Sequence, residues 1–102
     1  MSTVIVTQDN IGNEVFACEL PVLMDFWSAC TQGRRASSAL EEISEELEGV
    51  AKIVRINVND EPDIAYSFKV NRVPTMLVYR DGAVTDKIVG NAEKNTLRWL
   101  LT

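Results

Sequence analysis

An α/β fold, with a mixed central sheet carrying helices on both faces, is predicted by three observations. Short apolar, β-branched runs alternate with segments of helical period, which favours parallel strands joined by right-handed crossovers. One of those runs, Val22-Leu23-Met24-Asp25-Phe26-Trp27, is almost continuously apolar, as a strand buried on both faces requires. Near the end of the chain two strand-like runs are separated by Asp81-Gly82, a hairpin signal that makes the last pair antiparallel. The predicted order is β-α-β-α-β-α-β-β-α.

Each element has its own signature. Val4-Ile5-Val6, between Thr3 and Thr7, reads as a short strand. Asp9 or Asn10 can cap a helix with apolar positions Ile11, Val15 and Phe16, and Cys18 falls at its end. Pro21 restarts the chain into the apolar strand. From about Thr31 to Glu48 the pattern is helical: Ala36, Ala39, Leu40, Ile43 and Leu47 make one buried stripe. Glu41, Glu42, Glu45, Glu46 and Glu48 fill the opposite side, read as a solvated face. Gly49 is the expected stop. Ala51 to Val58 is a second buried strand. Asp60-Glu61-Pro62 opens a third helix, with proline at its tolerated first position and Ile64, Ala65 and Phe68 inward. Met76 to Tyr79 and Val84 to Val89 are the hairpin strands, Gly90 ends the second, and Asn91 to Thr102 closes as a helix presenting Leu97, Leu100 and Leu101.

Composition excludes several functions. With 102 residues, 46% hydrophobic and 25% charged, the chain is expected to form one domain, 1–102, with a real core. A net charge of −5 argues against nucleic acid as a partner. There is no histidine, which removes His-based catalysis and His metal ligands, and two cysteines alone do not make a zinc site. No run approaches the ~20 apolar residues of a membrane helix. Met1 to Val6 lacks a basic start for a secretion signal. A cytoplasmic protein with reduced thiols and no membrane partner is expected.

The chemistry concentrates where the apolar strand meets the long helix, at Asp25-Phe26-Trp27-Ser28-Ala29-Cys30-Thr31-Gln32-Gly33-Arg34-Arg35. A thiol at a helix start meets unpaired N–H groups and the positive end of the dipole, which favour the nucleophilic thiolate. Cys30 is therefore the candidate nucleophile; the plainer reading is a loop cysteine without a catalytic role. Asp25, inside the apolar run, is costly unless paired or protonated. Arg34 and Arg35 either raise the positive potential near Cys30 or are solvated residues of the first turn. Cys18 and Cys30 flank opposite ends of a strand that spans roughly 20 Å. A disulfide needs Cα atoms within ~7 Å, so none is expected between them. Cys18 reads as a small, partly buried apolar residue.

Over essentially its whole length the chain resembles the thioredoxin family. The resemblance rests on Pro21 to Trp27, on Val73-Pro74-Thr75-Met76-Leu77-Val78-Tyr79 with Asp81-Gly82, and on Ile88-Val89-Gly90. Asn57-Val58-Asn59 and Glu61-Pro62 fit the connecting region. It implies the thioredoxin fold, a mixed five-stranded sheet flanked by four helices, with Pro74 cis, a minority state for X–Pro bonds. The family pattern W-C-G-P-C-K is not met. Either the loop before Cys30 is one residue short, or the following helix is. A deletion within a helix would turn its buried stripe by ~100°, so the loop is preferred. The motif is then Cys30-Thr31-Gln32-Gly33, with Gly33 in place of a resolving thiol.

By the same resemblance, Trp27, Thr31, Val73, Pro74 and Gly90 are the substrate-binding positions. Asp25 matches the acid that moves protons in the family, or is a retained buried carboxylate paired with Arg55, which stands at a family lysine. Gly33, Arg34 and Arg55 support the site. The implied function is thiol–disulfide exchange by an atypical monothiol oxidoreductase acting through Cys30, with an external thiol completing the cycle. The alternative is a non-catalytic binding module using the groove around Trp27, Pro74 and Gly90. Protein or glutathione thiols and disulfides are the expected partners, with no cofactor, no metal and a monomeric state.

Overall fold

The computed structural model describes residues 3–29, 33–90 and 92–102, with 33–37 as backbone only. Its strands are β1 (Val4–Ile5), β2 (Val22–Trp27), β3 (Lys52–Asn57), β4 (Thr75–Arg80) and β5 (Ala83–Val89), in the spatial order β1-β3-β2-β4-β5. β1 and β2 run parallel to β3, whereas β4 runs antiparallel to β2 and to β5. This is the mixed sheet the sequence predicts. β2 occupies the middle because its continuous apolar run tolerates burial on both sides: Val22 to Phe26 are all buried.

Among the described residues, three α-helices and one π-helical turn cover the sheet. Helix α1 (Gly33–Glu46) and helix α3 (Lys94–Leu101) lie on one face, where Leu40, Ile43, Leu47, Leu97 and Leu101 pack on Leu23, Ile53, Met76 and Val78. On the other face, the π-helical turn Gly12–Phe16 and helix α2 (Pro62–Ser67) supply Val15, Ile64 and Ala65. These pack on Val22, Met24, Phe26, Val54, Ile56 and Leu77. The split follows strand alternation, since successive residues of each strand point to opposite faces. Phe68 joins Phe26, Phe16 and Tyr79 in an aromatic cluster with centroid separations of 5.6–6.5 Å.

Several expectations need refinement. The first strand is shorter than Val4–Val6, although Val6 still donates its N–H to Arg55 O at 2.8 Å. The segment after Asn10 is a π-helical turn and not a capped α-helix. Asn10 Oδ1 accepts from Thr7 N, and Asn10 Nδ2 donates to Ile5 O, so this short side chain closes the preceding turn. Phe16 is half-exposed, its ring lying along Phe68 and Tyr79. The acidic side of α1 is only partly a solvated face: Glu42 pairs with Lys94, Glu46 with Arg98, and Glu41 accepts from Thr3 Oγ1. α3 begins at Lys94, later than Asn91.

The punctuation behaves as the residue types dictate. Pro62 opens α2. Asp81 and Gly82 both have positive φ, 56° and 85°, the turn that an Asp-Gly hairpin needs. The Val73–Pro74 peptide bond is cis.

Candidate functional site

The site forms where β2 runs out. Asp25 and Trp27 are two residues apart on one strand, so both project from the sheet face that α1 and α3 cover. The neighbouring strand places Arg55 opposite Asp25 in the parallel register. Arg55 Nε donates to Asp25 Oδ2 at 2.9 Å. Asp25 is 2% exposed and Arg55 9%, so the pair is an interior one. Burial raises the Asp25 carboxyl above its ordinary range; the charge and hydrogen bond of Arg55 work in the opposite direction without cancelling it. The expected Asp25–Arg55 pairing is thus present.

Arg55 makes a second contact that the sequence reading missed. Its guanidinium carbon lies 4.8 Å from the centroid of the Trp27 ring, within cation–π range. The available signal was parity. Positions 25 and 27 share a face of β2, and register brings position 55 to the same face of β3. Trp27 Nε1 is buried and has no hydrogen-bond acceptor among the described residues.

The other residues expected to line a groove, Val73, Pro74 and Gly90, lie at the same end of the sheet. The β2–β4 ladder ends at Phe26 opposite Thr75, so the next step in each strand is Trp27 and Pro74. Gly90 N donates to Pro74 O at 2.8 Å, which ties the end of β5 to the cis bond. Gly90 has φ of 97°, a backbone state that favours glycine. Thr75, buried beneath, donates Oγ1 to Arg72 O and steadies the turn into β4. Val73 and Pro74 are half-buried. Register places Asp25 and Arg55 side by side with Trp27 on the same face, and the Gly90–Pro74 hydrogen bond joins the ends of β5 and β4 next to them. Cys30 and Thr31 lie outside the described residues, Gly33 is the first described residue of α1, and Arg34 is described only as backbone. Cys18 is a free, half-buried thiol packed against the core on the opposite sheet face from Asp25.

The family model for thioredoxin matches residues 2–102. The chain belongs to the thioredoxin family. It is 38% identical over 98 residues to a thioredoxin of Pyropia yezoensis, covering 95% of this chain and 92% of the relative. It is 34% identical over 97 residues to a thioredoxin of Rickettsia bellii, covering 93% and 92%. It is 32% identical over 93 residues to thioredoxin 1 of a Nostoc species, covering 90% and 87%. Membership agrees with the mixed five-stranded sheet and the strand–helix order. Among the described residues, no helix is long and apolar enough to cross a membrane.

Proposed function

We propose that this thioredoxin-type thiol–disulfide redox protein works through one thiol, Cys30, and that its cycle is completed by an external thiol. The observation that supports the reading is that β2 ends at Trp27 beside the Pro74–Gly90 hydrogen bond, together with a sequence motif holding a single cysteine, Cys30-Thr31-Gln32-Gly33. The Cys30 thiolate attacks one sulfur of a substrate disulfide. A Cys30–S–S–substrate bond forms, and the substrate's other sulfur leaves as a thiolate that takes a proton from solvent. A second thiolate, from glutathione or a protein, then attacks the mixed disulfide. Cys30 departs as thiolate, and the substrate is carried off joined to the external thiol.

Cys30 and Asp25 are the catalytic positions in this reading, Asp25 as the buried acid beside the strand end. Trp27, Thr31, Val73, Pro74 and Gly90 bind the substrate chain, and Gly33, Arg34 and Arg55 support them. Extended peptides pair through backbone groups at such a groove, so protein thiols and disulfides are the partners, with glutathione as resolving thiol. The protein is read as a one-domain, cytoplasmic monomer needing no cofactor. A second reading has its own support: the groove residues assemble through strand register and the Gly90–Pro74 hydrogen bond, neither of which needs a thiol. In that case the protein is a binding module.

Partner trapping separates the two. Wild type and Cys30→Ser are incubated with a cysteine-containing peptide disulfide and resolved without reductant. A covalent adduct with wild type alone supports exchange through Cys30. Equal non-covalent capture by both, with no adduct, supports the binding module and overturns the single-thiol reading.

A further inference from the structure

Arg55 stands between two side chains of the strand that leads to the thiol. It is the cross-strand partner of Asp25, and Trp27 lies one alternation further along the same face. Its Nε donates to Asp25 Oδ2 at 2.9 Å, while its guanidinium carbon sits 4.8 Å from the Trp27 ring centroid. Both charged groups are buried, so the contact with the indole is made away from water, where such contacts are strongest. The geometry uses what distinguishes arginine from lysine. A guanidinium is planar and weakly hydrated, and it can hydrogen-bond a carboxylate through its edge while its face rests on a ring.

Among the described residues, Trp27 has little else of a directional kind to hold it. Its Nε1 finds no acceptor among the described residues. Its backbone is fixed, because Trp27 O accepts from Val58 N at 2.9 Å, but that bond does not orient the ring. Trp27 is the residue of β2 that follows Phe26, whose cross-strand partner Thr75 directly follows Pro74.

We propose that Arg55 is a positioning residue for the redox site: its guanidinium, anchored by Asp25, orients the Trp27 indole that walls the groove beside Pro74. The inference rests on the single-thiol reading in one respect, that a peptide disulfide is presented to Cys30 along this wall. Asp25 acts here as the counterion that keeps the cation seated. Trp27 orientation then governs how an extended peptide lies, while a small disulfide with no peptide chain does not need the wall.

The test uses the full chain carrying Trp99→Phe, which removes the other tryptophan, an α3 residue 78% exposed. In that background Arg55→Lys retains the charge without the planar face, and Arg55→Gln retains a planar end without the charge. Acrylamide quenching and near-ultraviolet circular dichroism report Trp27 directly. Arg55→Lys is expected to raise the quenching constant about threefold and to weaken the near-ultraviolet band, with the far-ultraviolet spectrum unchanged. Should Arg55→Gln fail to fold, as a variant that strips Asp25 of its counterion can, Arg55→Lys decides alone. Unchanged quenching and an unchanged band in folded Arg55→Lys overturn the proposal.

Exchange rates supply the functional arm. Exchange with a peptide disulfide should fall about threefold in Arg55→Lys, by the same loss of contact, while exchange with a small aromatic disulfide is retained. An equal fall with both substrates overturns the positioning role, because it places the effect on the thiol. An unreactive Cys30 in the parent protein overturns the single-thiol reading instead, and the Trp27 signals then judge Arg55 independently.

Discussion

Asp25 and Arg55 face each other across β2 and β3 as direct register partners, joined by a 2.9 Å hydrogen bond from Arg55 Nε in the protein interior. Neither side of the pair dominates completely. Burial pushes the carboxyl up and the guanidinium pulls it down, and the net displacement is upward. This fixed charge pair sits on the sheet face that α1 covers, two residues from the end of the strand that leads to the proposed single thiol.

The raised acid has a definite consequence for stability. A group whose folded pKa lies above its unfolded value contributes stability that is fully present below the unfolded pKa and is lost as pH rises through the folded pKa. Asp25 therefore contributes least at neutral pH. Urea unfolding of wild type and Asp25→Asn between pH 7 and pH 4 should show the difference moving in favour of wild type as pH falls. A constant difference, or movement the other way, contradicts the raised carboxyl.

The core on the α2 face predicts an asymmetry between two phenylalanines. Phe26 is fully buried and packs its ring 6.1 Å from Phe68, whereas Phe16 is half-exposed in the same cluster. Phe26→Ala should cost about 3–5 kcal/mol of unfolding free energy, the usual range for truncating a buried aromatic. Phe16→Ala should cost less than half as much. Equal shifts in the urea midpoint would show that Phe16 is more completely buried than described.

Gly90 is held in a left-handed backbone state while its N–H bonds Pro74 O. An added Cβ would meet no atom of the described residues within 4 Å, so the expected penalty is conformational. Gly90→Ala should destabilise by roughly 1–2 kcal/mol. The same substitution should weaken peptide-disulfide exchange by loosening the Gly90 N–H bond to Pro74 O. Unchanged stability and exchange would mean that the turn relaxes without effect on the groove.

Position 33 tests the missing half of the dithiol reaction. With a regenerating reductase, wild type should reduce insulin only marginally. Gly33→Cys supplies an intramolecular thiol for release of the mixed disulfide, and turnover should rise at least about tenfold. Turnover by wild type at the rate of Gly33→Cys would show that no resolving thiol is needed from position 33.

What could be read in the sequence divides along physical lines. Strands β2 and β3, the proline start of α2 and the Asp81-Gly82 hairpin were legible because each depends on local composition. That Asp25 is costly unless paired or protonated was legible from its place in an apolar run, but Arg55 as its partner came only from family resemblance. The cis state of Pro74 came only from family resemblance, since nothing in Val73-Pro74-Thr75 itself selects cis. The Arg55–Trp27 stack was missed because it depends on the relative register of two strands, which no single segment encodes. The π-helical turn escaped because Asn10 chose a local turn over a helix cap. Glu42 and Glu46 looked merely solvated because their partners, Lys94 and Arg98, lie on a helix far along the chain.

The most direct measurement of the single-thiol mechanism is alkylation of Cys30 across pH, followed by mass spectrometry after exposure to oxidised glutathione. The mechanism predicts an alkylation midpoint well below the ~8.5 of an ordinary cysteine, and one glutathione adduct, on Cys30 and not Cys18, released by excess glutathione. An ordinary midpoint with no adduct on Cys30 contradicts it.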